Sequence, residues 1–273
     1  MEGGETEHMF LDCKKQITKK PNMDEFHMHA HDFYEIYCFL SGDAKYFVEG
    51  NIYKLRPGDI LFIKKAEAHS LLINSPAPYE RIVISFDAAA LTDSEVQKVV
   101  SFFDGLPLGS GNRFPYSMFN DRHWHYYIDK MLSYENNEKK GLYLSVLVNE
   151  MYECCFDILN IQTEKDDFSN IIAYLNTHLT DALTLDSICA RFYISKSQLN
   201  RKFKRMTGST VWEYITAKRL LMAKELLQGG EPPAKVFSEC GFNDYTSFFR
   251  AYKAKFAAAP KNDFIKHKST SDI

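Results

Sequence analysis

The chain has 273 residues, a formal net charge of −3 and 45% hydrophobic residues. Its length exceeds that of most single domains and its apolar content suffices for ordinary cores, so we expect more than one folded domain. No apolar stretch is long enough to span a membrane, no secretory signal is recognisable, and the six cysteines show no C-x-x-C spacing. These features exclude membrane and disulfide-rich secreted proteins and predict a cytoplasmic protein with reduced thiols.

The first hundred residues predict a small β-barrel or sandwich. Short segments rich in aromatic and β-branched residues are separated by turns that contain Gly, Asp, Asn or Pro. The predicted strands are Glu35–Leu40, Ala44–Val48, Asn51–Leu55, Asp59–Ile63, His69–Ile73 and Glu80–Phe86. We therefore predict an all-β domain over residues 1–118.

Histidines and a glutamate stand at the start of this domain. The spacing of His29, His31, Glu35 and Gly42 resembles the first metal-binding motif of the cupin superfamily, and His69 stands where the second cupin motif places its histidine. The other positions of that second motif are not kept. Three imidazoles and a carboxylate can hold a divalent transition metal, but they can equally bind a ligand through hydrogen bonds or support the barrel wall. All three roles stay open here, and we predict ligand binding without a metal or other cofactor.

The expected ligand site is the interior of the barrel. Residues of one parity in an extended chain point to one face. The predicted ligand-binding residues are His29, His31, Glu35, Tyr37, Phe39 and His69. Further aromatic residues that are expected either in the pocket or in the ordinary core are Phe26, Phe33, Tyr46 and Phe62. Apolar walls with a few polar groups suit a small polar metabolite, with a sugar as the first hypothesis.

Residues 119–164 predict a helical connector between two domains. Two apolar stripes recur at helical spacing on either side of a polar break at Glu135–Gly141. The stripes consist of Tyr127, Met131 and Tyr134, and of Leu144, Leu147, Met151, Cys154 and Ile158. The stripes either pack on the barrel or form the seam of a homodimer. We predict a hinge at Glu164–Asp167.

One pattern occurs twice in residues 165–273, which predict an all-α domain. Ser197–Lys204 and Thr246–Lys253 carry the same apolar and basic anchors at a constant offset of 49 residues. In each copy an apolar pair four residues apart marks the buried side of a short helix. A second short helix precedes each copy, at Leu185–Phe192 and Ala234–Cys240. Together these features predict two helix-turn-helix units.

Capping residues support these helices independently. Ser195 with Gln198 and Thr210 with Glu213 have the spacing of capping boxes. The second box begins a linker helix that Gly229 and the following residues end. Roughly nineteen helical residues span about 28 Å, a little less than the roughly 34 Å between successive major-groove faces. Either the DNA bends toward the protein or only one unit docks fully.

Charge separates the two halves of the chain. Residues 168–273 contain 16 Lys and Arg against 9 Asp and Glu, whereas residues 1–167 contain 17 against 27. A basic C-terminal half suits binding to phosphates, and its concentration on two repeated helices favours this role over mere solvation.

The C-terminal part resembles the DNA-binding domain of the AraC/XylS family of bacterial transcription factors. The matching stretches are Leu185–Cys189, Ser195–Gly208, Arg219–Leu227 and Cys240–Pro260. Two positions depart from the family pattern, since Ala257 replaces a usual Gly and Phe237 replaces a small residue. The resemblance implies an α+β multidomain regulator with a cupin-like sensor, a connector and a helix-turn-helix domain. It also implies double-stranded promoter DNA, a small-molecule effector, a homodimer and RNA polymerase as partners.

Eleven residues of the two recognition helices are predicted to contact DNA. They are Lys196, Ser197, Gln198, Asn200, Arg201, Lys204, Tyr245, Thr246, Ser247, Arg250 and Lys253. Residues near a helix start suit base contacts, in which Gln can pair with adenine and Arg with guanine, whereas Lys204 and Lys253 suit phosphate. Intramolecular ion pairs are the alternative role for Arg201 and Arg250, and Arg219 of the linker helix has the same ambiguity.

We predict a ligand-responsive transcription regulator and not an enzyme. Neither a nucleophile with an adjacent base nor a phosphate-binding loop is recognisable, so no catalytic residue is predicted. The alternative is a cupin metalloenzyme or metal sensor fused to a DNA-binding tail. A metal with an open coordination position at the predicted histidines would favour that alternative.

Overall fold

The computed structural model describes residues 10–22, 26–119, 123–158 and 167–264. The chain divides into two compact units, Met1–Phe26 with Asp32–Glu164, and His27–His31 with Lys165–Ile273. The first unit is rich in β-strands and the second is helical, which confirms the predicted α+β class. The predicted hinge lies outside the described residues except for its last member, Asp167, which begins a helix. No described helix is long and apolar enough to cross a membrane.

The described part of the first unit contains two antiparallel sheets. Their strands are β1 (Leu11–Thr18), β2 (Tyr34–Ser41), β3 (Ala44–Val48), β4 (Asn51–Lys54), β5 (Ile60–Ile63), β6 (His69–Ile73), β7 (Tyr79–Phe86) and β8 (Arg113–Phe114). One sheet has the order β1-β7-β2-β5-β8 and the other the order β4-β3-β6. All six predicted strands are present, and each bound agrees to within one residue.

Among the described elements that lie outside the predicted strands are a strand and a helix, and the helix makes the prediction of an all-β domain wrong. Strand β1 pairs with β7 along its whole length, but only Leu11 and Cys13 of this edge strand are buried. Its apolar alternation is therefore weak. The helix α1 (Ser94–Gly105) begins at Asp93, whose side chain accepts a hydrogen bond from the backbone N–H of Glu95.

The five-stranded sheet is apolar on both faces. On β2, Ile36 and Cys38 belong to a core shared with helices, whereas Tyr37 and Phe39 belong to a second core shared with the three-stranded sheet. We call these faces the helix face and the lumen face, and the core between the two sheets the lumen. Because successive residues of a strand point to opposite faces, one strand contributes to both cores.

The connector consists of two helices, as predicted, and they are α2 (Trp124–Ser133) and α3 (Asn137–Ile158). The buried members of the predicted stripes are Met131, Leu144, Leu147, Met151 and Cys154. They pack in the same core as the helix face of the sheet. The stripe therefore packs on its own barrel and is not an exposed dimer seam.

The predicted break between these helices is too long. Helix α3 begins at Asn137, so Gly141 lies within it. A Cβ atom at Gly141 would lie 2.5 Å from the backbone oxygen of Ala90. This glycine permits close packing against a neighbouring segment and does not end a helix.

The second unit is helical throughout its described length after the segment 27–31. Its helices are α4 (Asp167–Thr177), α5 (Leu185–Phe192), α6 (Lys196–Thr207), α7 (Val211–Gln228), α8 (Pro233–Glu239) and α9 (Tyr245–Phe256). The pairs α5–α6 and α8–α9 are the two predicted helix-turn-helix units.

The linker helix α7 contributes to the cores of both helix-turn-helix units. Near its start, the ring of Tyr214 lies 6.0 Å from that of Phe203 on α6, measured between centroids. Near its end, Leu220 and Leu227 join a core with Phe248 of α9. One continuous helix of 18 residues therefore holds the two recognition helices at a set spacing.

Candidate nucleic-acid interface and ligand lumen

The first recognition helix, α6, is held at both ends by its own polar groups. The hydroxyl of Ser195 accepts a hydrogen bond from the backbone N–H of Gln198 at 3.2 Å, and Gln198 Oε1 accepts one from the backbone N–H of Ser195 at 2.9 Å. At the other end, Gly208 has a φ of 70° and its carbonyl accepts a hydrogen bond from Lys204 Nζ at 2.6 Å. The predicted capping box is confirmed.

All six residues of the first copy that are predicted to contact DNA are exposed. Four of them have partners within the protein, and one of these is Ser197, whose hydroxyl lies 3.0 Å from that of Ser195. Lys196 Nζ lies 2.7 Å from a carboxylate oxygen of Asp186, and this hydrogen bond raises the pKa of the lysine. Gln198 and Lys204 form the helix caps. Bidentate pairing with adenine needs both the oxygen and the nitrogen of a side-chain amide, so the cap competes with the predicted base contact of Gln198.

Asn200 and Arg201 project from the same exposed side of α6. Neither side chain forms a hydrogen bond or an ion pair with any of the described residues. The guanidinium of Arg250 on α9 forms no hydrogen bond with this part of the chain either, but its charge helps to lower the pKa of Asp244. An intramolecular ion pair is therefore not supported for Arg201, whose side chain is exposed, whereas Arg250 interacts electrostatically with Asp244.

The second recognition helix, α9, is also capped at its start. The side chain of Asp244 accepts a hydrogen bond from the backbone N–H of Ser247 at 2.8 Å, and this bond lowers the pKa of Asp244. Phe248 and Tyr252 are fully buried, as their spacing predicts. The five predicted contact residues of this copy are exposed, namely Tyr245, Thr246, Ser247, Arg250 and Lys253.

Both departures from the family pattern have structural consequences. The ring of Phe237 on α8 lies 5.8 Å from that of Tyr245 in an edge-on arrangement, so this large residue holds the first residue of α9. Ala257 adopts the left-handed conformation with a φ of 54° and ends α9. Gly208 ends α6 in the same conformation, 49 residues earlier. The second copy thus places a Cβ where the first has none.

Arg219 has a structural role, which settles its ambiguity. Its guanidinium donates hydrogen bonds to the backbone carbonyls of Leu179 at 2.7 Å, Gly241 at 2.6 Å and Asp181 at 2.8 Å. Gly241 has a φ of 78°, and a Cβ there would lie 2.9 Å from the guanidinium carbon. Arg219 therefore joins the linker helix α7 to the turn between α8 and α9 in the second helix-turn-helix unit.

Two of the predicted ligand-binding histidines lie in the segment 27–31, which groups with the helical unit. In this segment the backbone N–H of Met28 donates to the carbonyl of Thr207 at 2.7 Å. The side chain of His29 is exposed and that of His31 is half-buried. The prediction that these two imidazoles bind ligand with the barrel residues stays a prediction.

The lumen holds the other predicted ligand-binding residues. Tyr37 and Phe39 belong to the lumen core and are buried. The hydroxyl of Tyr46 donates a hydrogen bond to Glu35 at 3.4 Å, which places the Glu35 carboxylate on the same side of the sheet. His69 is fully buried, and its ring stacks on that of Tyr46 with centroids 6.1 Å apart. The expected parity of β2 is confirmed for these strand residues.

Two aromatic residues lie elsewhere than in the expected pocket. Phe62 belongs to the core on the helix face and its ring lies 4.6 Å from that of Phe103 on α1. Phe33 contacts Phe10, with centroids 5.2 Å apart. Phe62 thus lies in the ordinary core, one of the two alternatives left open, because both faces of a buried strand are apolar and composition alone leaves its direction undecided. Phe26 and Tyr46 do face the lumen.

Strand β7 contributes two lumen residues that lie outside the predicted site. Tyr79 is fully buried in the lumen core, and Arg81 lies two residues further along. The carbon of the Arg81 guanidinium is 4.8 Å from the centre of the Tyr79 ring and 5.4 Å from that of Phe26. Alternation along β7, in which Ile82 faces the helices, is the signal that could have identified this arginine.

A buried polar cluster supports the turn that precedes β6. Glu67 is fully buried and accepts hydrogen bonds from the backbone N–H of Gly109 at 2.8 Å and from the Asn112 side chain at 2.6 Å. Lys64 Nζ lies 3.2 Å from the same carboxylate. Burial raises the pKa of Glu67 while Lys64 lowers it. The carbonyl of Glu67 in turn accepts a hydrogen bond from Nδ1 of His69 at 2.8 Å.

Comparison with known proteins matches both halves of the chain. Residues 17–103 match the family model of the AraC-like ligand binding domain, and residues 188–264 match that of a helix-turn-helix domain. The HTH-type transcriptional activator RhaS of Escherichia fergusonii is 24% identical over 254 residues, which cover 86% of each chain. The activator of the same name from Shigella flexneri is 22% identical over 277 residues and 93% of each chain.

Two solved structures are similar to most or to part of this chain. Unsaturated fatty acid bound ToxT from Vibrio cholerae is 14% identical, with 96% of each chain covered and a TM-score of 0.41. The DNA-binding domain of AdpA in complex with a target DNA is 21% identical, covering 39% of this chain and 96% of that domain, with a TM-score of 0.37. None of these matches supports a metalloenzyme.

Proposed function

Because the chain belongs to the AraC/XylS family of transcription regulators and joins a ligand-binding domain to a DNA-binding one, we propose how its two domains work. A small polar metabolite binds in the lumen, and its binding changes how the two helix-turn-helix units engage promoter DNA. An effector can shift this equilibrium only if it binds one arrangement of the protein more tightly than the other.

The exposed sides of α6 and α9 are the proposed DNA contacts. Asn200 and Arg201 suit base edges in the major groove, because they carry donors and acceptors that no described residue occupies. Arg250 has the equivalent place on α9, 49 residues later. Lys253, one turn further along, suits a phosphate. The remaining predicted contacts, which are Lys196, Ser197, Gln198, Lys204, Tyr245, Thr246 and Ser247, surround these groups.

The observation that carries this proposal is the repetition of an arginine on two capped helices. Arg201 and Arg250 are both exposed, both follow a buried aromatic or aliphatic anchor by two residues, and neither side chain forms a hydrogen bond with the described residues. An arginine that serves only solubility needs no fixed position. Each of these two lies on a helix whose start is capped and whose opposite side is buried, so its backbone position is fixed. The linker helix α7, packed in both cores, would present the two side chains to one duplex.

Selection of bound sequences from random DNA, followed by affinity measurements with single base changes, tests the base contact. We expect Arg201→Ala to weaken binding to the selected site by about 1–3 kcal/mol and to relax preference at one base pair. Arg56→Ala is the matched control, because Arg56 is an exposed arginine of the barrel unit. It should leave both affinity and preference unchanged.

Two other results for Arg201→Ala would change the assignment of this residue. An equal loss on every DNA sequence would assign Arg201 to a phosphate, and the slope of affinity against salt would then fall by about one ion. Unchanged affinity of Arg201→Ala for all sequences would contradict the proposed orientation of α6.

The proposed effector class is a sugar. Tyr37, Phe39 and Tyr46 supply aromatic surface that can stack on the C–H groups of a sugar ring, and Glu35 and His69 supply polar groups for its hydroxyls. A thermal-shift screen of the full chain against monosaccharides and divalent metals, with and without chelator, tests this class. Stabilisation that needs metal and is lost with chelator would instead favour a metal sensor.

The finer partners are proposed from the family. We propose a homodimer that acts on promoter DNA in a bacterial cytoplasm and contacts RNA polymerase, because the matched relatives are transcriptional activators. Light scattering on the purified chain measures the oligomer, and transcription with purified polymerase measures activation. A monomer that binds one isolated recognition site with full affinity would contradict the dimer.

A further inference from the structure

The lumen contains a guanidinium that the predicted ligand site does not include. Arg81 lies on β7 between Tyr79, a member of the lumen core, and Val83, which packs against that core. Its side chain therefore has the parity of the lumen face. It pairs across the sheet with Phe39 of β2, another lumen residue, so the guanidinium lies beside the aromatic surface that a ligand would contact.

The contacts of this guanidinium are aromatic or neutral. It lies over the rings of Tyr79 and Phe26 at 4.8 and 5.4 Å, and one of its nitrogens donates to the hydroxyl of Thr18 at 3.3 Å. No carboxylate of the described residues forms an ion pair with it. Arg113 in the same unit differs, because its guanidinium donates twice to the Asp59 carboxylate, at 3.1 and 2.9 Å.

Half-burial without an acidic partner is costly for a guanidinium. Removal of water from a charge is compensated only when that charge is paired or well hydrogen-bonded. Within the described residues the partners of the Arg81 fork are two hydroxyls, that of Thr18 at 3.3 Å and that of Tyr79, whereas the fork offers five N–H donors. Aromatic faces on two sides leave the edge of the fork, which is the part that binds a carboxylate bidentately.

Hydroxyl groups that could fix the rest of a ligand lie on the same face. Tyr37 is buried, and its hydroxyl oxygen has no hydrogen-bond partner among the described residues. The Tyr79 hydroxyl is buried on the same face beside Arg81. The Tyr46 hydroxyl reaches Glu35 only at 3.4 Å, a long distance for an O–H···O bond. A polyhydroxylated ligand would supply the donors and acceptors that these tyrosines lack.

We infer that the lumen binds a sugar acid, with Arg81 holding its carboxylate and the tyrosines of the lumen holding its hydroxyls. The inference depends on the proposed function only in placing the effector in the lumen. It adds the class of the effector and the residue that selects it. A neutral sugar would leave the Arg81 fork without a partner and would therefore bind less tightly than its acid.

Calorimetric titration of the full chain tests this inference. The probes are a panel of uronates and aldonates, and each is compared with the neutral sugar of the same stereochemistry. We expect at least one acid to bind tenfold or more tightly than its neutral counterpart. Arg81→Gln should weaken binding of that acid by about tenfold or more, as expected for loss of charge-assisted hydrogen bonds. Arg81→Lys keeps the charge but not the fork, so its affinity should be intermediate.

Arg56→Gln is the matched control and should bind the acid as the unchanged protein does. Circular dichroism and affinity for DNA without effector show whether each variant is folded. Binding of neutral sugars alone would overturn the acid inference while leaving the lumen as the effector site. Equal affinity of the acid for the unchanged protein and folded Arg81→Gln would also overturn it. Absence of binding by every acid at millimolar concentration would overturn it as well, and ligand binding that changes nothing in DNA affinity would separately contradict the proposed function.

Discussion

Single residues decide how each recognition helix ends. Gly208 and Ala257 occupy equivalent positions of the repeat and both adopt positive φ, at 70° and 54°. This conformation costs an L-residue with a Cβ about 1–2 kcal/mol, and replacement by Gly removes that cost. Gly also makes the unfolded chain more flexible, which offsets part of the stabilisation. We predict that Ala257→Gly raises the free energy of unfolding by about 0.5–1 kcal/mol.

Ala254→Gly is the matched control for this substitution. Ala254 is exposed within α9, where Gly should destabilise the helix by about 0.5–1 kcal/mol. Chemical denaturation of both variants measures the two changes. The same sign for both would show that the conformation of residue 257 does not limit the stability of this helix end.

The N-cap of α9 should make stability depend on pH. Hydrogen bonds from Ser247 lower the pKa of Asp244 below that of the unfolded chain, which is about 3.9. The stabilisation is therefore present above that pH and is lost as pH falls through the lower pKa of the folded state. We expect the Tm advantage of the unchanged protein over Asp244→Asn to be constant near neutral pH and to shrink below about pH 4. Asn keeps the cap acceptor without titrating, so an advantage that does not change with pH would contradict this account.

At the scale of the element, the capping box of α6 links stability to DNA binding. Gln198 is exposed on the side of the proposed DNA contacts, yet its oxygen forms the cap. We predict that Gln198→Glu keeps stability within about 0.5 kcal/mol, because Glu also completes a capping box. Its negative charge should weaken binding to DNA through repulsion of phosphate. Denaturation and DNA titration measure the two effects.

Gln198→Ala separates the two roles further. It removes the cap without adding charge, so stability should fall by about 0.5–1 kcal/mol while the dependence of DNA binding on salt stays the same. Full DNA affinity of Gln198→Glu would mean that the start of α6 does not approach the duplex.

At the scale of the whole molecule, the reactivity of the cysteine thiols measures how tightly each of the two units is packed. All six are free thiols, and Cys189 is the one that is half-buried while the other five are buried. Burial raises the pKa of Cys13 to about 11 and that of Cys240 to about 12. Since the thiolate is the reactive form, we predict that iodoacetamide at pH 8 modifies Cys189 first in the folded chain and all six thiols after denaturation. Mass spectrometry counts the modified sites, and rapid labelling of Cys154 would contradict the burial of α3 against the barrel.

The repeated DNA-binding units were accessible from sequence because their signals are local. Caps such as Ser195 with Gln198 lie three residues apart, apolar anchors lie four apart, and the second copy repeats the first at a constant offset. The strands of the barrel were accessible for the same reason. Edge strand β1 was not, because only two of its residues are buried and its partner β7 lies more than sixty residues away.

The sequence by itself determined the order of domains and the exposed residues of the recognition helices, because the caps and apolar anchors that reveal them are spaced within a few residues, and its resemblance to a family determined the class of this protein. Only the tertiary structure decided the roles of particular side chains. Arg219 has a structural role because its guanidinium donates hydrogen bonds to three carbonyls that are distant in sequence. Phe62 packs against the helices, and Arg81 lies on the lumen face. In a strand that is buried on both faces, the residue types do not reveal the direction of a side chain, and the pairing of strands distant in sequence decides it.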